Sequence, residues 1–573
     1  MITPDIARAT AWRDHDPDPT TRAQITWLLE AAQDGMASAV EELGRAFAGP
    51  LAFGTAGLRG QIGAGESRLN EAVVLRTTAG LMAWLRKKAT RAPRVVIGSD
   101  ARFGSVNFAH AAARVVAAAG GEALLLPLIN PTPLTSYAVR QLDADAGIMV
   151  TASHNSARDN GYKVYLGGTV ATGPAAGVQL VSPADAEIQR EIAAQPFADQ
   201  IPQTAEGIRQ VDPREDYVHD AAGLAERGGA TRAERAALRI TLTPMHGVGG
   251  HLTLRALEAA GFTNVDIVEQ QAIPDPFFPT VSFPNPEEPG ALDLAKAYAS
   301  AHGSDLIIAV DPDADRCALV IPEGEGWRQL SGDETGSILG EFAAGQAPKG
   351  AVLANSIVSS RLLSAIASAH GLGYAHTLTG FKWIGRTEGL YFGYEEAIGT
   401  CPDPAHVRDK DGMATAVLAA SLFASLKARG VSGAEELDRM ARTYGLYQTA
   451  PLTFRVEHLD TITAGMERLR LTPPDRLAGS KVVRVVDLAH GGLGLPPQDA
   501  LLFLTEDDSR VVVRPSGTEP KLKCYLEVHI PVEEFSPGKN GPTVPHDAAA
   551  HRLELVRADM CAAVGLPDPA EAK

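Results

Sequence analysis

At 573 residues, with 45% hydrophobic and 21% charged residues, the chain has the balance of a folded globular protein, and its length predicts roughly three to five domains. A net charge of -17 excludes general binding to nucleic acid or anionic membranes unless basic residues cluster locally, so a phosphorylated small molecule needs its own electropositive pocket. Cys317, Cys401, Cys524 and Cys561 show neither CxxC nor metal spacing and read as reduced thiols of a cytoplasmic protein; with no apolar h-region at the start and no run of membrane-spanning length, neither a secretion signal nor a membrane span is expected.

Residues 1–50 show apolar positions at helical spacing (Ile25, Leu28, Leu29; Val40, Leu43, Phe47) and are expected to be a helical preface. A glycine-rich turn follows at 53–60, where backbone can approach a ligand and Arg59 could clamp a phosphate. From residue 95 the pattern alternates: strand 95–99, helix 106–119, strand 123–126, helix 133–142 and strand 147–150. The same order returns at 240–310 and again at 351–428, which predicts three α/β layers with largely parallel sheets and a duplicated architecture, each copy closing on a polar loop. Beyond residue 444 the short β-rich runs 482–486, 501–505, 510–513 and 523–529, with an amphipathic helix at 547–564, predict a smaller α+β domain; 536–545 reads as a surface loop.

Four motifs carry chemistry. Strand 146–150 breaks into Thr151-Ala152-Ser153-His154-Asn155-Ser156, so Ser153 is expected on a tight loop at the carboxyl end of a strand. His154 offers a ring nitrogen, and Lys163 a cation that burial could turn into a proton shuttle; by itself the Ser-His pair reads equally as an idle turn. Asp311, Asp313 and Asp315 alternate on the loop after strand 305–310 and can supply hard oxygen ligands to Mg²⁺, with Arg316 facing a second anion. An EF-hand needs Gly at the sixth position and Glu at the twelfth, where Arg316 and Pro322 stand, and a solvated acidic turn is the other reading.

In the segment Arg514-Pro515-Ser516-Gly517-Thr518-Glu519-Pro520-Lys521-Leu522-Lys523, guanidinium, hydroxyl, backbone amide and ammonium donors suit a phosphate monoester, the alternative being an exposed basic turn. Between these lies Gly393-Tyr394-Glu395-Glu396-Ala397-Ile398-Gly399, whose Glu395 could accept from paired sugar hydroxyls or be plain surface. Lys382, flanked by aromatics, could be catalytic, phosphate-binding or snorkelling.

In this order the four motifs resemble the phosphoserine, metal, sugar and phosphate loops of the α-D-phosphohexomutase family, closest to its phosphoglucomutase and phosphopentomutase-like branch, over almost the whole chain. The resemblance implies three successive α/β mixed-sheet domains (1–205, 206–325, 326–447) plus a C-terminal α+β domain (448–573), heart-shaped around a central cleft. It implies that Ser153 is phosphorylated, that Asp311, Asp313 and Asp315 hold one Mg²⁺ with the phosphoserine oxygen, and that Glu395 holds sugar hydroxyls. Arg514, Ser516, Gly517 and Thr518 would grip the non-reacting phosphate, with Lys523 and Arg316 also binding substrate, while Lys163, Arg59, His154 and Lys382 serve proton transfer and charge stabilisation. The chain departs from the family pattern at Ser156, where proline is usual, which is expected to loosen the serine loop, and at Ala397, where many glucose- and mannose-handling members have serine.

The expected reaction interconverts a sugar 1-phosphate, glucose first, with the 6-phosphate through a sugar bisphosphate, which also activates the enzyme; the last domain, attached near 444–452, is the expected lid, and the chain is expected to be a monomer or homodimer. Ribose or deoxyribose 1-phosphate and mannose 1-phosphate are the alternative substrates, and a silent sugar-phosphate sensor is the non-enzymatic alternative.

Overall fold

The computed structural model describes residues 5–53, 57–516, 520–532 and 543–569, and the chain divides into two compact units, Met1–Gln329 with Gly399–Ser425, and Leu330–Ile398 with Leu426–Lys573. Gly517 and Thr518 of the phosphate motif, residues 54–56 of the glycine-rich turn and most of 536–545 lie outside the described residues.

The first unit opens on the expected helical preface, helices Ile6–Asp14, Pro19–Gln33 and Ala37–Ala46, with Ile25, Leu28, Leu29 and Leu43 buried in the core. Its first sheet contains β1 (Leu58–Gln61), β2 (Arg94–Ser99), β3 (Glu122–Leu125), β4 (Ala146–Val150), β5 (Asp159–Leu166), β6 (Val178–Gln179) and β7 (Arg209–Gln210), in the order β1-β5-β4-β2-β3-β7 with β6 on β5. Strands β4, β2, β3 and β7 run parallel, whereas β5 pairs antiparallel with β4 and β1, making the sheet mixed. β5 was not among the expected strands: its start Asp159-Asn160-Gly161 has turn composition, yet from Tyr162 onward the strand is buried on both faces, and Lys163 stands in its middle.

A second sheet holds β8 (Arg239–Thr243), β9 (Asn264–Ile267), β10 (Leu306–Val310), β11 (Cys317–Glu323) and β12 (Gly326–Gln329), ordered β12-β11-β10-β8-β9, with β8 parallel to β9 and β10 and the last two strands antiparallel. In the second unit β13 (Val352–Ser356) lies between β14 (Gly373–Thr377) and β15 (Leu390–Glu395), all parallel. Each α/β layer therefore repeats one arrangement, with the first parallel strand central, the second on one side and the third on the other, and the third strand leads into the Ser153, Asp311 or Glu395 loop. This bears out the expected duplication.

After β16 (Gly399–Cys401), the C-terminal sheet is antiparallel, with β17 (Leu446–Arg455), β18 (Arg476–Leu477), β19 (Ser480–Asp487), β20 (Leu501–Thr505), β21 (Arg510–Pro515) and β22 (Lys521–Ile530) in the order β17-β22-β21-β20-β19-β18. One face is covered by helices Leu459–Leu471 and His546–Val564 through Met466, Leu469, Val556 and Met560. The other face packs Leu502, Val512 and Tyr525 on Ile357 and Val358 of the third α/β layer. Segment 444–452, expected to tether a lid, is mostly strand β17, paired with β22 along its whole length. The C-terminal domain and the third layer belong to one compact unit, with this apolar face between them. Among the described residues no single helix is long and apolar enough to cross a membrane.

Within this body Asp333 is buried, accepting from Ser360 N at 2.6 Å and Tyr394 OH at 3.1 Å, and burial, with the charges of Glu396 and Glu527, pushes its carboxyl up to about 7. A raised folded pKa means that the folded chain keeps a proton the unfolded chain has lost, so this group's contribution declines as pH rises from about 4 to about 7, by on the order of a few kcal/mol. Urea midpoints measured across that range are expected to fall less steeply with pH in Asp333→Asn than in the native chain; equal slopes would contradict the assignment.

Candidate active site

Six segments of the first unit meet at Ser153. The residue follows the carboxyl end of β4, is buried, and holds a φ of +54°, a left-handed conformation that non-glycine residues seldom adopt. Its N–H donates to Thr151 Oγ1 at 2.9 Å, and its carbonyl accepts from Arg102 at 2.7 Å. Arg102, just past the end of β2, also donates to the carbonyls of Asn155 (2.5 Å), Ser156 (2.5 Å) and Asp159 (3.1 Å). A planar guanidinium can serve four carbonyls in one fork, which an ammonium cannot. At Ser156 Arg102 donates to the carbonyl, and Ser156 Oγ donates to Asp159 at 3.0 Å.

Asp311, Asp313 and Asp315 lie on the turn between antiparallel β10 and β11, all buried, with one oxygen of each within 4.8 Å of the others. Ser153 Oγ donates to Asp311 Oδ2 at 2.9 Å, and the other Asp311 oxygen accepts from Arg316 N at 3.0 Å. Asp313 Oδ2 accepts from Thr132 Oγ1 (2.6 Å) and Lys163 Nζ (2.7 Å), and Asp315 Oδ2 from Lys163 Nζ (2.9 Å) with Lys410 Nζ at 3.3 Å. Gly247 keeps the turn in place from behind, since a Cβ there would meet Pro312 Cα at 2.4 Å.

The electrostatics follow from burial. Asp311 is pushed well above the usual carboxylate range by desolvation and then by Asp313 and Asp315, while at Asp313 desolvation is outweighed by the charge and hydrogen bond of Lys163 together with the bonds to Thr132 and Asp311, which hold it below that range. Burial opposes the charge on Lys163, but Asp313 and Asp315 raise its pKa. His154 Nδ1 is 3.2 Å from Ser153 Oγ, and burial with Arg316 and Arg59 lowers its pKa, leaving the imidazole neutral. Arg59, on β1, donates to Asn155 Oδ1 at 3.0 Å, and the Arg316 side chain comes within 3.7 Å of Asp315 Oδ1.

Asp313 Oδ1 and Asp315 Oδ1 are buried without a hydrogen-bond partner, in an all-oxygen set whose negative charge Lys163 only partly offsets. Such a set fits a hard divalent cation.

The other expected site residues belong to the second unit. Glu395 ends β15, buried; its neighbour Glu396 accepts from Ser356 and Ser359, each at 3.1 Å. Lys382, half-buried, is on the short helix Phe381–Ile384. Arg514 lies on β21 opposite Lys523 of β22, and Ser516 N donates to Lys521 O at 2.8 Å. Sequence reasoning missed Arg102, Thr132 and Lys410. Arg102 carried a usable signal, following a parallel strand's carboxyl end as the other loops do; Lys410, inside Asp409-Lys410-Asp411, reads as surface charge but is buried against Asp315 and Asp409.

A serine on a clamped loop against a buried carboxylate triad, on repeated α/β layers, defines a phosphoryl-transfer protein. The chain belongs to the phosphoglucomutase/phosphomannomutase family: residues 50–198, 215–324 and 331–444 match its alpha/beta/alpha domains I, II and III, and 466–536 its C-terminal domain. It is 41% identical over 473 residues to a Haemophilus influenzae protein named "Probable phosphomannomutase", covering 80% of this chain and 93% of that one. It is 33% identical to a phosphopentomutase of Pongo abelii (93% of this chain, 92% of that one) and 33% identical to a phosphoglucomutase of Staphylococcus haemolyticus (88% and 94%). The protein is thus a phosphosugar mutase, an isomerase that moves a phosphoryl group within its substrate.

Removing the Arg102 fork takes a donor from four loop carbonyls, of which that of Ser156 keeps Asp159 N at 3.1 Å, and lets Ser153 drift from its partner. Arg102→Ala is expected to lower turnover by about 100-fold with little change in KM, and Arg102→Lys to recover only part of it, as steady-state kinetics would show; native kcat in Arg102→Ala would contradict the clamp.

Proposed function

We propose that this chain interconverts sugar 1-phosphate and sugar 6-phosphate, with α-D-glucose 1-phosphate and glucose 6-phosphate as its main pair, through phospho-Ser153 and a sugar bisphosphate that also primes the enzyme. The observation carrying this reading is the 2.9 Å hydrogen bond that sets Ser153 Oγ against Asp311 at the edge of the acidic triad. Asp311, Asp313 and Asp315, with the phosphoserine oxygen of Ser153, would hold Mg²⁺, which when bound neutralises charge on the phosphoryl oxygens.

The rest is done by the chain. Arg102 aims Ser153, and Lys163 and Arg59 offset charge where the phosphoryl group moves. The neutral His154 ring is an acceptor for the proton released as a sugar hydroxyl attacks phospho-Ser153. Once the other phosphate of the bisphosphate has returned to Ser153, the isomeric monophosphate leaves. In the second unit Glu395 receives sugar hydroxyls, Arg514, Ser516, Gly517, Thr518 and Lys523 grip the distal phosphate, and Lys382 adds a cation, while Arg316 of the first unit binds substrate from beside Asp315. The four free, buried cysteines support a reducing, cytoplasmic setting.

Ala397 and the phosphopentomutase relative favour a second reading, in which ribose or deoxyribose 1-phosphate is the preferred substrate; the Haemophilus relative brings mannose 1-phosphate into the comparison. A coupled assay comparing kcat/KM for glucose, mannose and ribose 1-phosphates separates them, with glucose 1-phosphate expected to be highest. Ser153→Ala and a chelator are each expected to reduce turnover to background, with added Mg²⁺ restoring only the chelated native chain. Native turnover in Ser153→Ala would sink the proposal.

A further inference from the structure

Thr132 opens the helix Thr132–Gln141, which follows β3 in the first sheet, and is buried. A hydroxyl at a helix start commonly caps its own helix by accepting from one of its free amides. This one is turned outward instead: Thr132 Oγ1 donates to Asp313 Oδ2 at 2.6 Å, across 181 residues of chain, and Thr132 N, an amide the helix cannot pair internally, donates to Asp313 O at 2.9 Å. The residue is itself held. Pro131 and Pro133 restrict the backbone on either side, and Asn130 exchanges two bonds with Ser99 at the end of β2, its N–H donating to Ser99 O at 2.8 Å and its Oδ1 accepting from Ser99 N at 3.0 Å.

This contact decides which oxygen of Asp313 stays available. On each aspartate of the triad the chain engages one oxygen with its own donors: Asp311 Oδ1 accepts from Arg316 N, Asp313 Oδ2 from Thr132 and Lys163, and Asp315 Oδ2 from Lys163. Asp311 Oδ2 then faces Ser153, while Asp313 Oδ1 and Asp315 Oδ1 are left buried without a hydrogen-bond partner, a costly state unless a ligand satisfies them. Lys163 offsets charge but does not orient, because an ammonium on a flexible stem, shared by two carboxylates, follows them if they turn. A β-branched hydroxyl bonded to the same residue through its backbone does not, so Thr132 is the contact that stops the Asp313 carboxylate from rotating.

We propose that Thr132 is a positioning residue that holds Asp313 as a one-oxygen ligand, and that the triad thereby favours a small octahedral cation, Mg²⁺, over Ca²⁺. This rests on the metal reading of the triad given above. Mg²⁺ demands near-octahedral geometry with oxygens at about 2.0–2.1 Å, whereas Ca²⁺ accepts about six to eight oxygens at about 2.3–2.6 Å, including both oxygens of one carboxylate. With Oδ2 engaged by the hydroxyl, two-oxygen binding by Asp313 breaks a buried hydrogen bond, and that cost falls on the ion that uses both oxygens.

The test measures ion binding and not turnover. In the chelator-stripped native chain, Thr132→Val, Thr132→Ala and Thr132→Ser, Mn²⁺ binding is followed by electron paramagnetic resonance with Mg²⁺ and Ca²⁺ as competitors. Both hydroxyl-free variants are expected to bind Mg²⁺ about 10- to 100-fold more weakly and to lose less affinity for Ca²⁺, so that the ratio of the Ca²⁺ to the Mg²⁺ dissociation constant falls by on the order of 10-fold; Thr132→Ser, which keeps the hydroxyl, is expected to keep the native ratio. Alanine takes less space than threonine, so that variant reports even if valine, which sets a methyl against a carboxylate, does not fold. Native Mg²⁺ affinity in a folded hydroxyl-free variant, equal losses for both ions, or a Thr132→Ser as impaired as Thr132→Ala would overturn the proposal. A native chain that binds none of the three ions would instead remove the metal reading on which it stands.

Discussion

Asp311, Asp313 and Asp315 are buried within reach of one another, and the surrounding unit is arranged to tolerate their charge. Three desolvated carboxylates repel, and the chain answers with Lys163 between Asp313 and Asp315, Lys410 also beside Asp315, Thr132 on Asp313 and a backbone amide on Asp311. Two oxygens still lack partners, and one carboxyl is pushed toward its protonated form. Such an arrangement is poor for stability and suited to a divalent cation with a phosphoryl group. Ser153 stands at its edge, hydrogen-bonded to Asp311.

The architecture explains how these groups are presented. In each α/β layer the third parallel strand lies across the first from the second and opens into a loop at its carboxyl end, so one folding pattern used three times delivers a serine, an acidic turn and a buried glutamate. Each loop then has its own backing: Arg102 under Ser153, Gly247 behind the acidic turn, and residues 356–361 beneath Glu396.

Much of this was legible in the amino-acid order because strand ends that break into polar loops are a strong local signal. The strand Leu501–Thr505 agrees with its sequence pattern to the residue, and Leu306–Val310 to within one. What stayed hidden was set by tertiary partners. Strand β5 begins on Asp159-Asn160-Gly161, a turn by composition that becomes strand because β1 and β4 hydrogen-bond to it on either side. Arg102 and Lys410 look like surface charges until the carbonyls and carboxylates they serve are brought to them, and segment 444–452, where the last domain is attached, is mostly strand because β22, far along the chain, pairs with it. Substrate preference was also out of reach, since Ala397 records a missing hydroxyl and not the sugar that fits without it.

The central claim is that one side-chain oxygen carries the phosphoryl group between the two half-reactions. Incubating the native chain with glucose 1,6-bisphosphate, then locating the phosphoryl group by peptide mass spectrometry, tests it directly. The account predicts a single phosphorylated residue, Ser153, whose phosphoryl group is lost when sugar monophosphate is added. A phosphoryl group on any other residue, or full turnover with no phosphorylated intermediate, would contradict it.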